Sequence, residues 1–346
     1  MKFCELEKLV LKEGQSLADY LAVERIECFS AAIVSYYEIT ELITHGLSQN
    51  SAEQIMFQSA SMSKPVFAFT LMRLYEMGLV DIDENLIPLI EKLLPWLKCP
   101  NGTTITYKEL LNHTSGLNVG GFAGYLHQQK IPSLSQILYG DRPANSPRLE
   151  FAYPPKTKFA YSGGAYTLAQ FLLEHQTNKP YEQWVGELVL KPLKMTSSVV
   201  SSNQLDIDMN RIAIGWSWHD TPLNHGYVIY PQLAAAGLWT TPYDLALFGI
   251  ECMKALHGKS LLLSKKMAEL MMKTPADVQS DYGPGFRIVK KENHYLFGHQ
   301  GDNIGYHGIM YFNPSKGSGT VIMVNSDIGD TIPRQMMDTN ITNNLL

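Results

Sequence analysis

Ser61-Met62-Ser63-Lys64 is the stretch whose residue types and spacing first suggest chemistry. A serine hydroxyl attacks poorly until a base takes its proton. Residues three apart on a helix share a face, so an amine at 64 can reach a hydroxyl at 61 within one turn. A lysine desolvated beside a buried helix start loses its charge more easily and can then serve as that base. The unpaired N–H groups of a helix N-terminus suit a developing oxyanion. Pro65 fits early in a helix, where its missing N–H costs least. Ser61 is the only serine with lysine three residues on, yet about one such pair arises by chance in a chain of this composition.

Two other stretches have matching chemistry. In Phe159-Ala160-Tyr161-Ser162-Gly163-Gly164, a phenol precedes two glycines that let backbone approach closely at a helix start. In Gly298-His299-Gln300-Gly301-Asp302-Asn303, His299 ends a predicted strand and Gly301 frees the backbone beside it. A strand edge of that kind can offer an N–H to a substrate carbonyl. Taken singly, each stretch also reads as plain structure: a packed aromatic at a loop–helix junction, and a hydrogen-bonded histidine at a hairpin turn.

The elements that would position these groups follow from periodicity. Gln15 to Arg25 has helical spacing, and Phe29 to Ile39 reads as a strand pairing with Ile43 to Leu47 across a short turn. Ser61 to Met77 is apolar almost all round, which predicts a buried helix, and Gly78 ends it. Thr106-x-x-Glu109 is a capping box. Gly163 to Gln176 and Tyr181 to Leu190 read as helices, and Thr241-Pro242-x-Asp244 opens another. Gly285 to Lys290, His294 to Gly298, His307 to Phe312 and Thr320 to Asn325 read as antiparallel strands. The expected fold is α/β (α+β), an antiparallel sheet of N- and C-terminal strands flanked by helices. Residues 1–79 and 215–346 would form the sheet domain and 80–214 an inserted, mainly helical domain. A cleft between two such lobes is a common place for a site.

Composition narrows the class. At 346 residues the chain is longer than a single core usually supports. A net charge of −5 with scattered Lys and Arg does not favour nucleic acid as a partner. No run approaches the ~20 apolar residues of a membrane span. The start, Met1 to Lys12, is interrupted by Glu5, Glu7, Lys8 and Lys12 and shows no export signal. The chain as written thus reads as cytoplasmic, or as periplasmic or extracellular if its start was trimmed. Cys4, Cys28, Cys99 and Cys252 are far apart and read as free thiols, and no cluster has zinc-ligand spacing.

Together the three stretches resemble the S-x-x-K, Y-x-N and H/K-x-G boxes of the penicillin-recognising serine hydrolases, nearest the class C β-lactamase-like branch with its DD-carboxypeptidases and esterases. Flanking segments are similar too: Leu110-Leu111-Asn112-His113-Thr114-Ser115-Gly116-Leu117, Lys191-Pro192-Leu193-Lys194-Met195-Thr196, and Ala236-Gly237-Leu238-Trp239-Thr240-Thr241-Pro242-Tyr243-Asp244-Leu245. The resemblance implies Ser61 as nucleophile, Lys64 as its proton partner and Tyr161 as a second acid/base. It also implies His299 as a site-lining group and an oxyanion hole from the N–H groups of Ser61 and Asp302. Lysine and tyrosine are treated as a coupled pair, with the main base left open. No cofactor or metal is implied; the partner is a small-molecule substrate, an ester, small amide, β-lactam or D-amino-acid peptide. Oligomeric state is not readable.

Two departures from the pattern stand out. The usual Asn of Y-x-N is Gly163, which removes a donor to substrate amides and predicts weaker use of acylamino substrates. Asp302 sits where a small residue is commoner, and its carboxylate would either repel anions or point away. A binding protein that keeps the fold without turnover is the alternative, with Gly163 as the feature in its favour. Tyr166, Trp239 and Tyr306 are candidates for pocket walls or core, and His113 reads as structural.

Overall fold

The computed structural model describes residues 11, 14–47, 52–291 and 294–328; Cys4 and most of the charged start lie outside them. The helices are α1 (Leu17–Val23), α2 (Ser63–Glu76), α3 (Ile87–Leu93), α4 (Tyr107–Leu111), α5 (Leu134–Tyr139), α6 (Gly163–Thr177), α7 (Tyr181–Val185), α8 (Leu233–Ala236), α9 (Pro242–Leu256) and α10 (Lys265–Met271). The strands are β1 (Phe29–Ser35), β2 (Glu38–His45), β3 (Phe57–Gln58), β4 (Val199–Val200), β5 (Leu238–Thr240), β6 (Arg287–Lys291), β7 (His294–Asn303), β8 (Tyr306–Asn313) and β9 (Ser318–Val324). The fold is mixed α/β, with an antiparallel sheet built from both ends of the chain.

The main sheet has the order β2-β1-β9-β8-β7-β6, so the first third of the chain pairs with the last through β1 and β9. Strand alternation divides the side chains between two cores. Ala32, Val34, Met310, Phe312, Val321 and Met323 face the large core, on the side where α9 packs against β1, β8 and β9. Ala31, Ile33, Ile309, Tyr311, Ile322 and Val324 face a smaller one closed by Tyr20 and Leu21 of α1. Ser16 caps α1 with a full capping box, as Thr106 does for α4.

Helix α2 is the hub of the large core. Phe67 meets the rings of Tyr166 and Tyr181 at 6.1 and 5.0 Å on the side of α6 and α7, while Phe69 meets Phe248 of α9 at 5.5 Å. The all-round apolar surface read from the sequence is therefore matched by neighbours on every side.

Three details differ from the sequence expectation. The first strand stops at Ser35, because Tyr36 and Tyr37 turn with φ of 53° and 65°. Both central residues of a two-residue hairpin turn take positive φ, and tyrosine is a poor signal for that. Tertiary contacts hold the turn: the Tyr37 hydroxyl donates to Pro314 O at 2.8 Å and its N–H to Gly317 O at 2.8 Å. Strand β7 continues beyond Gly298 to Asn303, so His299 is mid-strand and the turn comes at Ile304-Gly305. Gly301 lies within this strand and marks a close backbone approach to Ser59. Finally, β3, β5 and β4 form a small second sheet, whose two- and three-residue strands are too short to show a period.

Candidate active site

Ser61 lies in a 3-10 turn, Ala60–Met62, that runs directly into α2. The expected single helix start is thus two elements, and in a 3-10 turn residues three apart eclipse one another. The turn is held from two directions. Ser59 N–H donates to Leu238 O (2.9 Å), Leu238 N–H donates to Ser63 Oγ (3.0 Å), and Ser63 Oγ donates to Ala60 O (2.6 Å). Ala60 has φ of 48°, a left-handed conformation costly for a residue with a Cβ, maintained here beside Ser61.

Lys64 is 2% exposed. Its Nζ lies 2.8 Å from Ser61 Oγ and 2.9 Å from Ala235 O at the end of α8. It also sits 5.1 and 5.5 Å from the ring centroids of Tyr161 and Tyr166. Burial pulls its pKa down to about 7, against an opposing pull from the Asp302 carboxylate. Ser61 itself is partly exposed.

Tyr161 precedes the N-cap of α6. Ser162 accepts from Ala165 N–H at 3.0 Å and donates to Asn118 O at 2.6 Å, which anchors the helix start. Ser162 N–H donates to His113 Nδ1 at 3.1 Å, and the His113 ring lies 4.2 Å from that of Tyr161. The main chain of the same segment accepts from the tyrosine loop, His113 O from Ala160 N–H (2.9 Å) and Thr114 O from Lys156 N–H (2.7 Å). The H-T-S-G segment therefore acts as a bracket for Tyr161. Burial pushes the Tyr161 phenol above its ordinary pKa, while a hydrogen bond with Ser61 pulls it down. It stays protonated at neutral pH.

His299, Gly301 and Asp302 approach along β7. Register pairs Gly298 with Arg287, the first residue of β6, so 299–303 extend past the end of that neighbour. β7 packs there against the 3-10 turn. A Cβ on Gly301 would lie 2.1 Å from Ser59 O, so only glycine fits. His299 is buried and its Nδ1 lies 2.5 Å from Gln300 O, which makes Nδ1 the protonated nitrogen. Burial, then the nearby Lys64, holds its pKa down to about 3. Asp302 is half exposed, and its Oδ1 accepts from Nδ1 of His307, its cross-strand partner on β8, at 2.7 Å.

Gly163 is closed rather than open. A Cβ there would fall 2.9 Å from Phe122 Cε2 and 3.1 Å from Gly120 O. Phe122 thus covers the position where the resembling family carries asparagine. Sequence reading missed Phe122, His307 and Tyr282, whose ring lies within 6.0 Å of those of His113, Tyr161 and His299. Gly120-Gly121-Phe122 was the only available signal for the first, and none marked the others. Of the candidate walls, Tyr166 donates to Leu111 O (2.6 Å) and Tyr306 is held between Ala213 O and Gly226 O (2.6 and 2.9 Å), so both are core. Trp239 is buried against Tyr227 and Tyr306.

Among the described residues, no cluster of His, Cys, Asp or Glu could hold a metal ion, and no helix is long and apolar enough to cross a membrane. Cys28 and Cys99 are half-buried free thiols, and Cys252 is buried.

A mixed α/β fold with a hydroxyl and a buried amine at the start of α2, and a phenol beside them at the start of α6, is the arrangement of the penicillin-recognising hydrolase class. Residues 47–336 match the Beta-lactamase family, and the chain belongs to it. The chain is 23% identical over 304 residues to protein flp of Staphylococcus aureus, covering 83% of this chain and 56% of that one. It is 25% identical over 192 residues to a putative D-alanyl-D-alanine carboxypeptidase of Escherichia coli, covering 51% and 40%. It therefore spans about half the length of the curated relatives it matches. Its fold is similar to D-amino acid amidase from Ochrobactrum anthropi SV3 (TM-score 0.73, 23% identity, 92% and 94% covered). It is also similar to an octameric penicillin-binding protein homologue from Pyrococcus abyssi (TM-score 0.73, 21% identity, 98% and 78% covered).

Proposed function

We propose that this chain is a serine hydrolase that forms an acyl-enzyme on Ser61, in a cleft between the sheet domain (1–79 and 215–346) and the helical domain (80–214). The observation that carries the reading is the buried Lys64 amine 2.8 Å from the Ser61 hydroxyl. With its pKa near 7, a useful fraction of Lys64 is neutral at physiological pH and can accept a proton. Tyr161 holds its proton too tightly to be the first base, so Lys64 takes that role and Tyr161 relays. As Ser61 Oγ bonds the acyl carbon, its proton passes to Lys64 Nζ. The leaving group departs with a proton relayed through the Lys64–Tyr161 pair. Water then attacks the acyl carbon, gives a proton back to that pair, and Ser61 Oγ leaves protonated. The N–H groups of Ser61 and Asp302 would hold the oxyanion; a donor of this kind is typically worth ~3–4 kcal/mol.

The covered Gly163 position supports esters and small acyl groups over acylamino substrates. Intact mass spectrometry after a fluorophosphonate or a penicillin tests the acyl-enzyme: a mass gain absent in Ser61→Ala supports it, and no gain with either reagent favours the binding-only alternative. A screen of nitrocefin, p-nitrophenyl esters and D-Ala-D-Ala peptides tests the substrate class. Efficient cephalosporin turnover, with kcat/KM well above that for simple aryl esters, would refute the ester preference.

A further inference from the structure

The carbonyl that fixes Lys64 is itself held from a distance. Ala235 O, which accepts from Lys64 Nζ at 2.9 Å, belongs to α8, a helix of only four residues. A single turn satisfies few of its own backbone groups and does not stand alone. Its N-cap residue, Gln232, makes no side-chain capping hydrogen bond. The cap comes from α6 instead: Gln170 Oε1 accepts from Ala234 N–H at 2.9 Å. Gln170 is 2% exposed, which shields that bond from water.

The orientation of the Gln170 amide is fixed on its other side. Gln170 Nε2 donates to Glu174 Oε1 at 2.9 Å, and the same oxygen accepts from Tyr181 N–H at 3.2 Å. An ionised carboxylate only accepts, so the amide turns its NH2 to Glu174 and its oxygen to Ala234. Helix α6 also follows Tyr161, and its N-cap Ser162 anchors that end. One helix therefore places the phenol at its start and, about two turns later, holds the turn that carries the acceptor for Lys64.

We propose that Gln170 is a positioning residue for the Ser61 reaction: it caps α8 from α6, and so sets the place of Ala235 O and, through it, of the Lys64 amine relative to Ser61 and Tyr161. The inference rests on the acyl-enzyme reading and adds a residue that acts only through α8. Without the Gln170 oxygen, the N–H of the fully buried Ala234 is unpaired, and α8 shifts to find another acceptor. The ammonium form of Lys64 then loses a fixed acceptor, which lowers its proton affinity further. Tyr161, Tyr166, His113, His299 and Asp302 also face or act on Lys64, and the substitution leaves them in place.

The test follows fluorophosphonate labelling of Ser61 by intact mass from about pH 5 to 9, beside p-nitrophenyl ester turnover. Gln170→Met keeps the length and packing of the side chain but removes the acceptor. Labelling rate and kcat should fall about tenfold with KM within about twofold, and the acid limb of the pH profile should move down by roughly half a unit. Gln170→Glu keeps an acceptor for Ala234 N–H and can share a proton with Glu174. It should return the labelling rate near pH 6 to within about threefold of the parent chain. If Gln170→Met fails to fold, Glu174→Gln decides: it frees the amide to flip and should move the limb the same way by less. An acid limb unmoved from that of the parent, whatever the change in Tm, overturns the inference and leaves the hydrolase standing. No labelling and no turnover by the parent chain overturns both.

Discussion

His299 and His307 lie on adjacent strands, both are buried, and they have opposite electrostatics. His299 meets a carbonyl and the rings of Tyr161 and Tyr282 near Lys64, and its pKa falls to about 3. For His307, burial pulls down but Asp302 and Asp327 outweigh it, and its pKa rises to about 9. Burial disfavours charge in both places, and the neighbouring carboxylates decide which ring keeps its proton. One strand pair thereby carries a neutral ring near Lys64 and a cation paired to Asp302 and Asp327.

The largest way to break this comparison is to remove the amine that lies beside His299. Lys64→Met should lower kcat/KM by at least about a thousandfold, as loss of a unit of coupled catalytic groups does. It should also raise Tm by a few degrees, measured by calorimetry, since a buried amine is replaced by an apolar chain of similar length. A loss of both activity and stability would mean that Lys64 is mainly structural.

Next is the backbone that joins the regions. Gly301→Ala places a methyl 2.1 Å from Ser59 O, so β7 must move off the Ser61 turn. A drop of about a hundredfold in aryl-ester turnover is expected, with a destabilisation of roughly 1–3 kcal/mol typical of overpacking. Unchanged kinetics would show that β7 does not position the oxyanion.

The pH responses sharpen the contrast. Lys64 should give an acid limb in kcat/KM, rising with pH through about 7 as the amine becomes neutral. The folded pKa of His307 is raised, so its stabilisation is present below its unfolded value near 6.5 and is lost as pH rises through about 9. The folded pKa of His299 is depressed, so it destabilises as pH falls from about 6.5 toward 3. Urea titrations of His307→Asn against the parent chain should therefore show a stability gap at pH 6 that closes by pH 9.5. A gap independent of pH would mean that packing, not charge, sets the role of His307.

The smallest effect concerns Phe122. The double substitution Gly163→Asn with Phe122→Ala opens the covered position and installs an amide, and should raise acylamino-ester turnover relative to simple esters a few-fold. Gly163→Asn alone, which collides with Phe122, should lose activity on both.

Much of the site was legible because its parts are local. Ser61 and Lys64 meet through three-residue spacing, and the caps at Thr106 and Thr241 are set by contacts within one turn. The all-round apolar face of α2 announced its burial. What could not be read was long-range. The tyrosine turn at 36–37 depends on Pro314 and Gly317, nearly three hundred residues away.

By itself, then, the sequence determined most of the longer helices and the strands of the main sheet, that α2 must be buried, and which three chemical groups were available, because those follow from neighbours a few residues apart. Only the tertiary structure decided the charge states and the fit around them. Whether a histidine is neutral or cationic, whether Gly163 leaves a gap or is filled, and whether Asp302 is held or loose all depend on residues brought together from distant parts of the chain. Proton affinity and steric room are properties of surroundings, and surroundings exist only once the chain has folded.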